Sequence, residues 1–208
     1  MSHSSEVFWD RYAPKYAAKP IADPSAYEAK LSHVRTLLAP TDHVLEIGCG
    51  TGSTALNLAP SCAHITGSDI SGKMIGYARS KKGQMDIQNV RFVHANAERS
   101  LSDGPFDKVL AFSLLHLLPD APAALRTIHD QLKPGGLFIS KTVCLTERNA
   151  VIRLLIRALR ALRIAPDVKL LSQVELMNQI ERAGFELVET RYFGDQSCDP
   201  FIVARRND

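Results

Sequence analysis

The sequence predicts an α/β protein built on a doubly wound, mostly parallel sheet of seven strands, with helices on both faces. Three observations predict it. Short apolar runs alternate with longer amphipathic ones as far as residue 143. A glycine-rich turn, Gly48-Cys49-Gly50-Thr51-Gly52, follows the first apolar run directly. The last two apolar runs are joined by a loop with no room for a helical crossover, which predicts an antiparallel final strand.

The elements follow in order. Ser5 to Ala18 reads as a helix carrying Phe8, Trp9, Tyr12 and Tyr16. His43 to Ile47 is a buried strand ended by Gly48, and Ser53 to Ala59 a helix stopped by Pro60. Ala63 to Ser68 is the second strand, after which Ser71 caps a helix to about Lys82. Val90 to His94 is the third strand. The turn Asp103-Gly104-Pro105 opens the fourth, Phe106 to Phe112. Asp120 precedes a helix with Pro122 in its first turn, running to Leu132. Pro134-Gly135-Gly136 ends that helix and opens the fifth strand, Leu137 to Val143. Glu147 to Ile164 is helical by pattern. Ser172 and Glu175 form a capping box for a helix to Ala183, with Gly184 as its left-handed stop. Phe185 to Phe193 and Phe201 to Arg205 complete the sheet.

The chain has 208 residues, 45% of them hydrophobic and 23% charged, the balance of a globular protein. We read residues 1–208 as one domain, with an N-terminal helical segment at 5–38 and an insertion at about 145–171. No apolar run approaches the ~20 residues of a membrane-spanning helix. Met1 to Asp10 lacks the order of a signal peptide. Cys49, Cys62, Cys144 and Cys198 contain no Cys-x-x-Cys pair, and the histidines show no metal-ligand spacing, so no metal site is expected. Reduced thiols predict a cytoplasmic protein. The net charge of +3 is too small to imply a nucleic-acid binder.

The stretch that carries function is Val44 to Gly52, a strand running into three glycines at alternate positions. Glycine lets a ligand approach main-chain atoms without meeting a Cβ. In open parallel sheets that crevice lies beyond the carboxyl ends of the strands. Asp69, nineteen positions after Gly50, stands at the tip of the second strand, where an acid accepts hydrogen bonds from both ribose hydroxyls. The spacing is G-x-G-x-G and not the dinucleotide G-x-G-x-x-G. Glu46 precedes the first glycine by two positions; a carboxylate there is unfavourable beside a pyrophosphate, and it either holds the loop amides in place or suits a ligand carrying positive charge.

Val44 to Gly52 resembles motif I of the class I S-adenosylmethionine (SAM)-dependent methyltransferases, a Rossmann-like family. The likeness continues in register. Asp69 stands at the family's ribose acid, and His94-Ala95-Asn96-Ala97-Glu98 at its adenine segment. Ser113 to Leu118 is similar to its strand-four loop, and Leu132-Lys133-Pro134-Gly135-Gly136-Leu137 to its lead-in to strand five. The branch it most resembles includes the ubiquinone and menaquinone C-methyltransferases. The resemblance implies SAM as cofactor, S-adenosylhomocysteine as product, and a set of roles. Glu46 belongs to motif I. Gly48, Gly50 and the Cys49 backbone face the amino-acid moiety. Asp69 binds ribose, with Ile70 and Met74 against adenine. Asn96 and the Ala97 backbone meet the adenine edge; the family usually has Asp at position 96, and an amide oxygen accepts a hydrogen bond more weakly. Ser113 and Leu114 line the methionine end, and Tyr16, with Tyr12 beside it, closes over the cofactor. Equally, both tyrosines fit a helix simply packed on the core.

His116, just beyond strand four, is the candidate catalytic base, against the plainer reading of a partly buried helix-start histidine. No Asn-Pro-Pro-Tyr or Asp-Pro-Pro-Tyr follows strand four, and no Pro-Cys nucleophile occurs. A small-molecule acceptor, lipophilic or anionic, is therefore favoured over nucleic acid. Arg153, Arg157 and Arg160 share one face of the 151–164 segment. That face is either simply solvated or belongs to a substrate lid whose arginines meet a membrane surface or an acidic group. Two alternatives stay open: an NAD(P)-dependent oxidoreductase, which the loop spacing and the Leu-Lys-Pro-Gly-Gly segment oppose, and a non-catalytic SAM-binding regulator.

Overall fold

The computed structural model describes residues 2–147, 168–194 and 197–207. Most of the expected 147–164 helix lies outside the described residues. Two helices come first, α1 (Ser2–Ala18) and α2 (Pro24–Thr36). Then β1 (His43–Ile47), α3 (Ser53–Leu58), β2 (His64–Asp69), α4 (Gly72–Gly83), β3 (Val90–His94) and β4 (Phe106–Phe112) alternate. α5 (Ala121–Gln131), β5 (Leu132–Lys141), α6 (Gln173–Arg182), β6 (Phe185–Arg191) and β7 (Phe201–Arg206) complete the chain.

The sheet order is β3-β2-β1-β4-β5-β7-β6. β1 pairs in parallel with β2 and β4, and β7 runs antiparallel between β5 and β6. The order reverses at β1, so the ends of β1 and β4 diverge into a crevice.

Neighbouring residues of one strand feed opposite faces, as the pleat requires. Val109 and Phe138 pack with Leu125 and Ile128 of α5 and Leu176 and Ile180 of α6. Leu110 and Ile139 pack with Leu31 of α2, Leu58 of α3 and Ile75 of α4. Each such side chain, fully buried, contributes about 1.5–3 kcal/mol.

The expected N-caps form, though of the capping box only the Ser172 half is present among the described residues. The Ser71 hydroxyl accepts the Met74 N–H, the Asp120 carboxylate the Ala123 N–H, and the Ser172 hydroxyl the Glu175 N–H. β5 differs from expectation. It begins at Leu132, which pairs with Phe106, and resumes at Leu137 opposite Lys108 after a bulge. The Lys133 ammonium binds the Asp107 carboxylate at 2.7 Å across that bulge and holds the lead-in on the sheet.

Candidate functional site

Two positions in the loop after β1 require glycine. Gly48 has φ +69°, and a Cβ there would stand 2.8 Å from the Leu114 side chain. Gly52 has φ +76°, and its Cβ would stand 2.5 Å from the Phe92 ring. The loop is tied to β2 by Asp69. One Asp69 oxygen accepts the Gly50 N–H at 2.9 Å and the other the Ser71 N–H at 2.8 Å. Burial pushes this carboxyl above its ordinary value, and the two N–H groups partly offset that.

Helix α1 is fastened across the end of α4. The Ser71 hydroxyl donates to Asp10 at 2.6 Å, and the Lys73 N–H to the same oxygen at 3.1 Å. The hydrogen bond from Ser71 holds the Asp10 carboxyl below its ordinary value. This docking sets Ser5, Trp9 and Tyr16 over the strand ends.

Beneath them lies a chamber of about 420 Å³. Asp69, Ile70 and Met74 line it from β2 and α4, and Asn96 and Ala97 from the segment after β3. Gly48 and Gly50 form part of its floor. Ser113, Leu114 and His116 line it from the loop after β4. Its far end is apolar, with Leu118, Val143, Leu145 and Val168. The Asn96 side-chain oxygen already accepts the Glu98 N–H at 3.0 Å, so only its remaining lone pair is open to a ligand.

Glu46 and Cys49, grouped with these residues by sequence, line a second chamber instead. Glu46 follows Val44 onto the α2–α3 side by strand alternation, and Cys49, three positions on, reaches the same side because the chain turns at Gly48, φ +69°. The Cys49 thiol sits under the sheet, close to where a Cβ on Gly67 would stand, and burial raises it well above its ordinary pKa. The second chamber encloses about 530 Å³ and shares Tyr16, Gly48, Phe112 and Ser113 with the first.

The second chamber holds buried charge. The Lys30 ammonium lies 4.1 Å from the Phe112 ring centre and 4.8 Å from that of Tyr27. Burial holds it down to about 8, with the charge of Glu46 in partial opposition. Glu46 is held up to about 8 by burial, offset in part by Lys30 and by the Ala55 N–H. Its Oε2 has no partner among the described residues. Lys141 and Asp199 line the same chamber and pair at 3.5 Å.

A family model described as "Methyltransferase domain" matches residues 38–184. The chain belongs to the methyltransferase domain family. It is 32% identical over 155 residues to the "Ubiquinone biosynthesis O-methyltransferase" of Aromatoleum aromaticum, covering 70% of this chain and 64% of that relative. It is 36% identical over 98 residues to the "Demethylmenaquinone methyltransferase" of Listeria welshimeri, covering 45% of this chain and 42% of the relative. The chain thus spans less than two thirds of the length of these curated relatives. Among solved structures it is similar to the N-methyltransferase NodS from Bradyrhizobium japonicum in complex with S-adenosyl-L-homocysteine. The TM-score is 0.71 at 19% identity, over 96% of this chain and 98% of that one. That likeness is one of fold.

Within this methyltransferase domain, sequence reasoning named Ser113 but not its strained backbone, and it missed several other positions. Ser113 has φ +53°, the only positive value outside glycine among the described residues. It is held there by its N–H donating to the Lys141 carbonyl at 2.7 Å, a strain no pattern in the sequence announces. Lys30, Lys141 and Asp199 are brought together only by the fold. Ser5 and Trp9 are four apart on the α1 face that carries Tyr16, and that spacing was the available signal; Tyr12 packs against Phe8 and Trp9. Tyr77 and Lys81 of α4 have the four-residue spacing of an oxidoreductase pair. Lys81, however, donates to the Thr51 and Ser53 hydroxyls at 2.8 and 2.9 Å, and Tyr77 lies on the surface. Among the described residues no three His, Cys, Asp or Glu side chains group to hold a metal, and no helix is long and apolar enough to cross a membrane.

Proposed function

We propose that this domain transfers a methyl group from SAM to a small-molecule acceptor by in-line displacement. The observation that carries this reading is the complementarity of the two joined chambers to one elongated, zwitterionic ligand. At one end the Asp69 carboxylate, fixed by two backbone N–H groups, is suited to a pair of ribose hydroxyls. Ile70 and Met74 offer apolar surface for adenine, with Asn96 and the Ala97 backbone at its edge. At the other, Gly48 leaves room at the neck, and Lys30 presents an ammonium and Glu46 a carboxyl whose Oε2 has no partner among the described residues. An amino-acid moiety bridges such a pair: its ammonium satisfies the orphaned Glu46 Oε2, and its carboxylate meets Lys30. Tyr16 and Ser113 stand at the join, and Trp9 and Leu114 line the first chamber.

When bound, SAM supplies a methyl group already activated by the sulfonium. What remains for the chain is alignment and the exclusion of water, worth about 7–11 kcal/mol when the reacting atoms are well placed. The acceptor's place in this reading is the apolar end of the first chamber, against His116. The relatives named for ubiquinone and menaquinone steps support a lipophilic ring compound there. A cytoplasmic setting belongs to the same proposal and is supported by four buried cysteines, none of them in a disulfide.

Calorimetry with SAM, S-adenosylhomocysteine and NAD tests the assignment. We expect the first two to bind and NAD not to. Binding of NAD alone by a folded sample would overturn it.

A further inference from the structure

His116 is assigned by its sequence position to a proton-accepting role, yet its surroundings suit a different one. The ring is 8% exposed. Its Nδ1 is shut off from the chamber and has no partner among the described residues, so Nε2 is the nitrogen left facing the space His116 lines. Burial holds the imidazole down to about 4, with Asp199 only partly opposing, so near neutral pH the ring carries one proton. A buried N–H without an acceptor is rarer and costlier than a buried lone pair without a donor. The proton therefore belongs on Nε2, where a ligand can use it.

The walls around it constrain that ligand. Leu118, Val143, Leu145 and Val168 are apolar. The carboxylates lining this chamber, Asp69 and Glu98, follow β2 and β3, whereas His116 follows β4 and Val143 follows β5; in the sheet order these lie on opposite sides of β1. His116 is thus the one titratable side chain among the described residues lining the apolar end; Asp199, whose charge reaches the ring, lines the second chamber and is paired there with Lys141. An alcohol or an ammonium would arrive there with a proton and nothing to take it. A weakly acidic hydroxyl that has already lost its proton to solvent needs no base, and a donor in apolar surroundings favours its negative charge.

We propose that His116 meets the methyl acceptor as a neutral hydrogen-bond donor through Nε2–H, and that this acceptor is an ionised phenol or enol on an apolar scaffold. The proposal rests on the methyltransferase reading above. The step balances without a protein base. The hydroxyl proton goes to water on ionisation, and the acceptor's electron pair forms the new bond to the methyl carbon. The sulfur–methyl bond breaks with its pair left on sulfur, and the Nε2 proton stays in place throughout.

The test uses the full chain loaded with S-adenosylhomocysteine. Long-range nitrogen-15 NMR reads the His116 tautomer, and 4-nitrophenol, coloured only when ionised, serves as the acceptor probe. We expect the Nε2–H tautomer, and 4-nitrophenol bound as the phenolate. His116→Gln, which keeps an N–H near the position of Nε2 without basicity, should hold the phenolate within a few-fold of wild type. His116→Leu should bind it about ten- to a hundredfold more weakly, the range for a lost hydrogen bond to a charged group. An Nδ1–H tautomer, an imidazolium formed on probe binding, a probe bound neutral or not at all, or equal affinity in both variants would each overturn the proposal. The tautomer is read on wild type, so it decides even where a variant fails to fold. Failure of S-adenosylhomocysteine itself to bind the folded wild type would strike the methyltransferase reading, and this proposal with it.

Discussion

A buried carboxylate lowers its cost by finding hydrogen bonds or by holding a proton. Glu46 does some of each, and its titration belongs to the free protein's stability. Its folded value, about 8, lies above the ordinary 4.5, so the folded state holds the proton more tightly. The stability it lends is complete below about 4.5 and is lost as pH rises through about 8. Lys30, lowered from 10.5 to about 8, acts in the opposite sense, but mostly above that window. We expect Glu46→Gln to gain thermal stability relative to wild type between pH 5.5 and 8, because the variant lacks the loss. Melting curves of the free protein at both pH values check this, and parallel shifts would contradict it. Asp69→Ala should weaken S-adenosylhomocysteine about ten- to a hundredfold by calorimetry, through loss of charged hydrogen bonds. Asp69 was legible because one strand tip at one spacing defines it. Lys30 was not: on α2 it reads as a solvated helix lysine, and only the packing of α2 against β4 buries it over Phe112.

Helix α1 has little amphipathic character of its own, so its position depends on what it is tied to. One tie is Asp10, which joins the α4 cap through Ser71 and the Lys73 N–H, and a second is Glu6, 3.3 Å from His94. Asp10→Ala should leave the α4 cap itself in place, since the Ser71 hydroxyl still accepts the Met74 N–H. It should loosen α1 and with it the cover formed by Trp9 and Tyr16. Trp9 is the one tryptophan of the chain, so its fluorescence reports the cover directly. We expect wild type to show a fluorescence change on S-adenosylhomocysteine binding, and Asp10→Ala to show a smaller one with weaker affinity. An unchanged titration would mean that α1 is held by other contacts. Element boundaries were legible where a cap or breaker stands: Ser71, Asp120, Ser172 and Gly184 mark real ends. The start of β5 was misread because Pro134-Gly135-Gly136 looks like a full stop. It is a bulge inside a strand whose first residue, Leu132, is already paired with Phe106.

Across the whole molecule, the strand order follows from two features visible in the sequence, the βα alternation and the short link between the last two strands. The division of the crevice into two chambers was not visible, because it depends on which side of β1 each side chain leaves. Charge distribution is a whole-molecule property that the sequence does state. The chain's net charge is +3, while residues 145–171 hold six basic and two acidic side chains, a net of +4. The remainder is therefore slightly acidic, and the excess of base sits in one segment. The described residues that flank it, Leu145 and Val168, both line the apolar end of the first chamber. Basic side chains near an anionic lipid surface contribute about 1 kcal/mol each. If that segment meets a membrane, reversing Arg153, Arg157 and Arg160 to Glu should abolish flotation with vesicles rich in anionic lipid. The affinity for S-adenosylhomocysteine should stay within about twofold, since salt screens exposed charges beyond about 8 Å. Equal flotation of wild type and variant would assign those arginines to the acceptor or to solvent. A parallel loss of cofactor affinity would mean that the segment supports the fold.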